Sequence, residues 1–247
     1  MTDVAPRPAP PPANTAQRTR IKICGLTREA DVDAAIAAGV DAIGFVRYAP
    51  SPRHVSARRA AELLKRMPPF VTPVLLYVNA SATEIIADCA DLAGATLQFH
   101  GDEASESCAA TARAAGRPWL RAARIPADAG TAFDLVKFAL DHTGAQGILL
   151  DTLVDGYGGS GKSFDWSRLP LNVPAHLVLS GGLTPANVSD GIAALRGRGF
   201  SLAVDVSSGV EADGPDGKPL KGIKDADKIH RFVAAVRAAD AAFASFP

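Results

Sequence analysis

The run Ile21-Lys22-Ile23-Cys24-Gly25-Leu26-Thr27 decides the reading of this chain. Its β-branched residues, closed by a thiol and a glycine, predict a short strand ending in a turn. In an all-parallel α/β protein, ligands gather beyond the carboxyl ends of the strands, so Cys24 at such an end faces substrate. Free cysteines also serve as small apolar filler, and residue type alone leaves that alternative open. The remainder of the chain favours chemistry.

Seven further β-rich runs follow, at residues 42–46, 72–78, 95–99, 118–122, 147–151, 176–180 and 201–206. They are apolar on both faces, as parallel strands are, and alternate with alanine-rich stretches of helical period. Thr27, Ser81 and Thr184-Pro185 stand where helix starts need caps, and Gly39, Gly94, Gly116 and Gly144 stand where helices stop. Eight such units predict a single-domain (β/α)8 barrel over residues 20–240, with tails at 1–19 and 241–247. An open doubly wound sheet is the alternative, but it would leave half of the strand-end polar residues far from any common pocket.

Composition narrows the function. A chain of 247 residues with 47% hydrophobic content buries one sizeable core. Lys plus Arg equals Asp plus Glu at 26 each, so no overall field attracts nucleic acid or an anionic membrane. Cys24, Cys89 and Cys108 are an odd, irregularly spaced set, which argues against a disulfide framework and for a reducing cytoplasm. The five histidines are scattered without metal-ligand spacing. The proline-rich start has no apolar core of a secretory signal and reads as a disordered tail, and no run reaches the roughly 18 apolar residues of a membrane span.

Strand periodicity puts Lys22 with Cys24, Gln98 with His100, and Leu149 with Asp151, each pair on one strand face, while Asp205 ends the eighth strand. Each has a structural alternative: Asp151 as a turn cap, His100 as a satisfied strand-end histidine, Asp205 as an ion-pair partner of Lys22. Ser180-Gly181-Gly182-Leu183 and Ser207-Ser208-Gly209-Val210 follow the seventh and eighth strands, where barrels of this kind often hold phosphate on backbone N–H groups. Gly156 to Ser163 match the phosphate-loop pattern of nucleotide triphosphatases letter for letter. Pro170 and Pro174 leave no room for the long helix that such a loop must open, so the segment reads as a mobile glycine-rich loop beside Asp151.

With these pieces in place the chain resembles the phosphoribosylanthranilate isomerase family of tryptophan biosynthesis, from about residue 20 to 238. The motifs are KICGLT (22–27), DAIGFV (41–46), SPRHV (51–55), LQFHGDE (97–103), LLDT (149–152), GGSGKSFDW (158–166), LSGGLTPANV (179–188) and DVSSGVE (205–211). The resemblance implies a cofactor-free Amadori rearrangement with Cys24 as general base and Asp151 as general acid. It also implies Arg53 on the anthranilate carboxylate, Asp205 on the sugar, and phosphate against Gly181, Gly182, Leu183, Ser207 and Ser208. Gln98 and His100 match a signature of the family without an assigned role. The protein would be a cytoplasmic monomer or homodimer. Some relatives process a histidine-pathway aminoaldose by the same chemistry, and Arg53 favours a dedicated tryptophan enzyme. The stretch from Ala212 to Asp225 is longer than the link expected there, and His54 stands where an aromatic residue is common.

A free thiol with a pKa of about 8.5 is only a few per cent thiolate at neutral pH, so a neighbouring cation should help, and Lys22 is the candidate. Two other readings remain for comparison. Other phosphosugar barrels expect clustered metal-binding histidines or a lysine and glutamate pair, neither of which matches Cys24 with Asp151. A noncatalytic phosphate-ligand binding barrel would keep the glycine loops without needing either residue.

Overall fold

A computed structural model describes residues 18–128, 131–153 and 164–244. The expected tail through Gln17, the loop from Gly156 to Ser163 and the last three residues lie outside the described residues. Eight parallel strands form a closed ring in sequence order: β1 Arg20–Cys24, β2 Ala42–Val46, β3 Thr72–Tyr77, β4 Thr96–Phe99, β5 Trp119–Pro126, β6 Gly147–Leu153, β7 His176–Leu179 and β8 Ser201–Val206. The open-sheet alternative is thereby excluded, because β8 pairs with β1 through Ile21 with Val204 and Lys22 with Asp205.

The strands form where the apolar runs stand because each buries both faces, one against the barrel interior and one against the outer helices. The helices are α1 Glu29–Ala37, α2 Ala57–Leu64, α3 Ala82–Asp91, α4 Ser105–Ala115, α5 Leu135–Asp141, α6 Val188–Leu195 and α7 Ala226–Ala244. Ser81 caps α3 as expected, its side chain accepting from the Glu84 N–H at 3.2 Å. Gly116 ends α4 in the left-handed conformation at φ 64°.

Two local expectations are corrected. Thr27 is not the cap of α1: its hydroxyl donates to the Gly222 carbonyl at 2.7 Å, and Arg28 occupies the cap position without a side-chain capping bond. Thr184 and Pro185 open a turn, and the helix proper starts at Val188, because the Thr184 hydroxyl is committed to the Ala186 N–H. Among the described residues, a three-residue 3-10 turn, Trp166–Arg168, stands between β6 and β7, in keeping with the short helix that Pro170 and Pro174 allow. Residues just outside the expected 20–240 span also pack on the barrel. Thr19 is tied by its N–H and hydroxyl to Asp240 at 2.8 and 2.6 Å, and α7 continues through Ala244.

Beyond β8 the long stretch is a β-hairpin, β9 Glu211–Asp213 against β10 Pro219–Lys224. Its chain path depends on Gly209, where an added Cβ would lie 1.9 Å from the Leu183 carbonyl oxygen. Two backbone segments meet there, so neither can yield cheaply. Gly209→Ala should therefore cost about 1–3 kcal/mol of overpacking strain and lower the thermal midpoint by roughly 2–12 °C. An unchanged melting curve would show that the Leu183 and Gly209 segments move apart freely.

Candidate active site

Because all eight strands point the same way, their carboxyl ends meet around one cavity. Cys24, Arg53, Gln98, His100, Asp151 and Asp205 line it, as do Gly181, Gly182, Leu183, Ser207 and Ser208. The barrel therefore collects at one mouth every residue to which a candidate catalytic or binding role was given above except Lys22, which lies beneath it, paired with Asp205. His54 is not part of the wall; its ring lies 3.5 Å from Arg47.

Cys24 sits at the end of β1 opposite Gly44 of β2. That glycine is a steric requirement, since a Cβ there would come within 2.7 Å of the Cys24 sulfur and 3.1 Å of Lys22 Cε. Lys22 donates to Asp205 Oδ2 at 2.8 Å in a buried ion pair, so the structural alternative for this residue holds. Burial pushes the Cys24 thiol above its ordinary range. Lys22 pulls it down, as expected of it, but burial and the Asp205 charge together outweigh that pull. For Lys22, burial alone would lower the ammonium pKa, and the carboxylate of Asp205 with the sulfur of Cys24 raises it instead. Among the described residues Asp205 Oδ1 has no hydrogen-bond partner, so the site holds a buried acceptor ready for a donor.

Asp151, near the end of β6, is held from both sides. His100 Nε2 lies 2.9 Å from Oδ2, and the Thr152 N–H donates to Oδ1 at 2.9 Å. Gln98 Nε2 lies 2.9 Å from His100 Nδ1, so an amide donor there selects the imidazole tautomer that donates to Asp151. Gln98 and His100 thus acquire a role that spacing alone did not give them: they fix the orientation of the Asp151 carboxyl. Gly181, at φ 78°, passes so close that a Cβ would meet Thr152 Oγ1 at 2.6 Å and Asp151 Oδ1 at 3.0 Å.

The loops after β7 and β8 bring backbone N–H groups and two serines to the same wall. Gly181 and Gly182 both have positive φ, which turns the backbone sharply beneath Leu183. Among the described residues their N–H groups have no acceptor, as a phosphate site built from backbone requires.

Arg53 departs from expectation in one respect. Its Nε and Nη2 already grip Glu211 at 2.7 and 2.8 Å, leaving Nη1 as the nitrogen not engaged by that carboxylate. Glu211 is further held by the Gly222 N–H at 2.8 Å and approached by Lys224 at 3.4 Å. Burial would raise the Glu211 carboxyl, but Arg53, Lys224 and Gly222 together hold it below its ordinary range. Sequence reasoning missed Glu211, Lys224 and the wall residues Val46, Tyr48, Leu76 and Val78. The wall was readable in outline, because residues at or just past the ends of β2 and β3 must face the same mouth.

Comparison with known proteins agrees with this geometry. A profile of the N-(5'-phosphoribosyl)anthranilate (PRA) isomerase family matches residues 21–235. An N-(5'-phosphoribosyl)anthranilate isomerase of Methylibium petroleiphilum is 57% identical over 92% of this chain and 98% of the relative. The phosphoribosyl anthranilate isomerase of Thermotoga maritima superposes with a TM-score of 0.74 at 35% identity, covering 89% of this chain and 99% of that one. A second solved structure, of a phosphoribosyl anthranilate isomerase bound to reduced 1-(o-carboxyphenylamino)-1-deoxyribulose 5-phosphate, superposes with a TM-score of 0.70 at 32% identity over the same shares.

Among the three thiols only Cys24 lines the cavity, whereas Cys89 and Cys108 lie in the hydrophobic core, with burial raising Cys89 and pushing Cys108 up to about 11. Iodoacetamide at pH 8 followed by peptide-resolved mass spectrometry should label Cys24 at least roughly tenfold faster than the other two. Equal rates at all three would mean that the reagent reaches them only through unfolding.

Proposed function

The chain belongs to the N-(5'-phosphoribosyl)anthranilate isomerase family and is an isomerase of tryptophan biosynthesis; from that premise we propose that Cys24 is its general base and Asp151 its general acid. The observation that carries this assignment is their placement: thiol and carboxyl stand at the ends of β1 and β6, on the wall of one cavity that also holds the glycine cradle. The substrate, N-(5-phosphoribosyl)anthranilate, is an aminoaldose, and the product, 1-(2-carboxyphenylamino)-1-deoxyribulose 5-phosphate, is the aminoketose.

The phosphate binds the N–H groups of Gly181, Gly182 and Leu183 together with Ser207 and Ser208. Arg53 meets the anthranilate carboxylate through Nη1, its other edge being fixed by Glu211. The unpartnered Oδ1 of Asp205 accepts a sugar hydroxyl. Asp151, oriented by His100, gives a proton to the ring oxygen as the furanose opens to a Schiff base. The Cys24 sulfur then takes the proton from C2, the C–H electron pair forms the C1–C2 double bond as the C1–N π pair returns to nitrogen, and the resulting enolamine tautomerises to the ketone. Each step is a proton transfer or an electron-pair shift within the substrate, so the chemistry asks for no redox group or metal. Among the described residues no helix is long and apolar enough to cross a membrane. The reading is of a cytoplasmic enzyme working as a monomer or homodimer.

Substrate made in situ from anthranilate and phosphoribosyl pyrophosphate loses its fluorescence on turnover. Cys24→Ala and Asp151→Asn should each lower kcat by about 10² to 10⁴ while leaving product affinity within a few-fold. Full activity in either variant removes that residue from its role, and an inactive wild type would favour the noncatalytic binding barrel.

The raised Cys24 thiol carries its own consequence for pH. The thiolate is the basic form, so a thiol above its ordinary range places the ascending limb of kcat/KM, the one set by the base, above neutrality. Below the midpoint of that limb the rate should fall about tenfold for each unit of pH. A flat profile between pH 6 and 8 would exclude Cys24 as the titrating base.

A further inference from the structure

The densest buried charge outside the proposed acid and base lies beside Ser207, where three elements converge. Arg53 comes from the loop after β2, Glu211 from β9 and Lys224 from β10. Arg53 and Lys224 share the single carboxylate of Glu211, at 2.7, 2.8 and 3.4 Å, so the cluster carries one positive charge in excess. The other buried pair near the thiol, Lys22 with Asp205, sums to zero.

Lys224 is fully enclosed, with no part of its side chain exposed. Its ammonium donates to the Ser207 carbonyl at 2.9 Å and reaches the Ser207 hydroxyl at 3.4 Å, and that hydroxyl donates to the Cys24 carbonyl at 3.0 Å. The ammonium is thus linked to the backbone of Cys24 through one residue. The main chain of Lys224 is pinned as well: its N–H donates to Asp31 at 3.2 Å, and its carbonyl accepts from Arg28 at 3.1 Å. A cation so enclosed and so anchored is placed to serve a nearby charge, not solvent.

We propose that Lys224, delivered by the hairpin, is the positioning cation that balances the Cys24 thiolate. The proposal rests on the reading of Cys24 as the base. While Lys224 keeps its proton, loss of the thiol proton to solvent takes the buried sum over Lys22, Asp205, Arg53, Glu211, Lys224 and Cys24 from one positive charge to zero. When sulfur takes the C2 proton, the S–H bond re-forms, the cationic Schiff base becomes a neutral enolamine, and the positive excess is restored beside it. Lys22, the earlier candidate for this task, exerts the stronger pull on the thiol, but Asp205, its ion-pair partner, pushes the other way, so the charge that no carboxylate cancels comes from the Lys224 cluster. Burial, opposed by Glu211 and reinforced by Arg53, lowers Lys224 to about 8, and the sulfur of Cys24 is among the groups that hold its proton on. Among the described residues, the remaining titratable groups on the wall are Tyr48 after β2, His100 after β4 and Asp151 on β6, and the last two are paired with each other.

The test is the pH midpoint of Cys24 alkylation by iodoacetamide, read from the Cys24 peptide between pH 6 and 10. Lys224→Met removes the excess charge and should raise the midpoint by about one unit, a roughly tenfold slower reaction at pH 7. Glu211→Gln adds to the excess and should shift the midpoint downward, and Lys224→Arg should restore the wild-type value. Opposite shifts in the first two variants are the signature of charge, because a merely structural defect would move both the same way. An unchanged midpoint in Lys224→Met overturns the proposal, as does an upward or absent shift in Glu211→Gln, which decides the matter even if the methionine variant fails to fold. Retained turnover in Cys24→Ala would instead overturn the base assignment itself.

Discussion

The ring closes where β8 lies against β1, and the rest of the molecule depends on that seam. Its register sets Lys22 beside Asp205, and their side chains form an ion pair at 2.8 Å inside the barrel. A buried pair of this kind adds little net stability, but loss of one partner leaves a charge stranded at a cost of about 3–5 kcal/mol. A slip of β8 by one residue would strand both charges and turn the side chains of β8 inside out. The pair therefore reads as a device for register. It also explains why Cys24 and Asp205, which lie far apart in sequence, share a wall.

The strands were legible because a parallel strand buried on both faces is written as a short unbroken apolar run, and AIGFV, GILLD and HLVLS each have that form. Cys24, Asp151 and the glycine pairs were legible for a related reason: strand ends in such a barrel have only one mouth to face. What could not be read depends on contacts between distant segments. Glu211 and Arg53 are 158 positions apart, and nothing local to either marks the partnership. Thr27 looks like a helix cap until Gly222 of the hairpin arrives to take its hydroxyl. His100 was visible as a strand-end histidine, while its hold on Asp151 required the closed ring.

Small residues shape the site as much as the chemical ones. Gly44 leaves the space that the Cys24 sulfur occupies, Gly25 keeps clear of the Arg53 stem, and Gly181 lets its loop pass against Asp151. Each stands where a single added carbon would meet a functional side chain within about 3 Å. Cys24 and Asp151 are thus confined by backbone, and neighbours such as Gln98 and Ser207 act on groups whose positions are already narrow. Precision of this kind costs the chain conformational entropy at each glycine, which the buried strands on either side offset.

The tie between Thr19 and Asp240, with Arg196 reaching the same carboxylate at 2.6 Å, has a topological meaning. It brings the start of the first strand beside the last helix on the face of the barrel opposite the cavity. Beginning and end of the ring are therefore neighbours, and the order in which the eight units are strung is a matter of bookkeeping. A permuted chain that joined α7 directly to β1 and opened at an outer loop elsewhere would keep every strand pairing. A second domain fused at either end would hang from the floor of the barrel, leaving the mouth open to substrate.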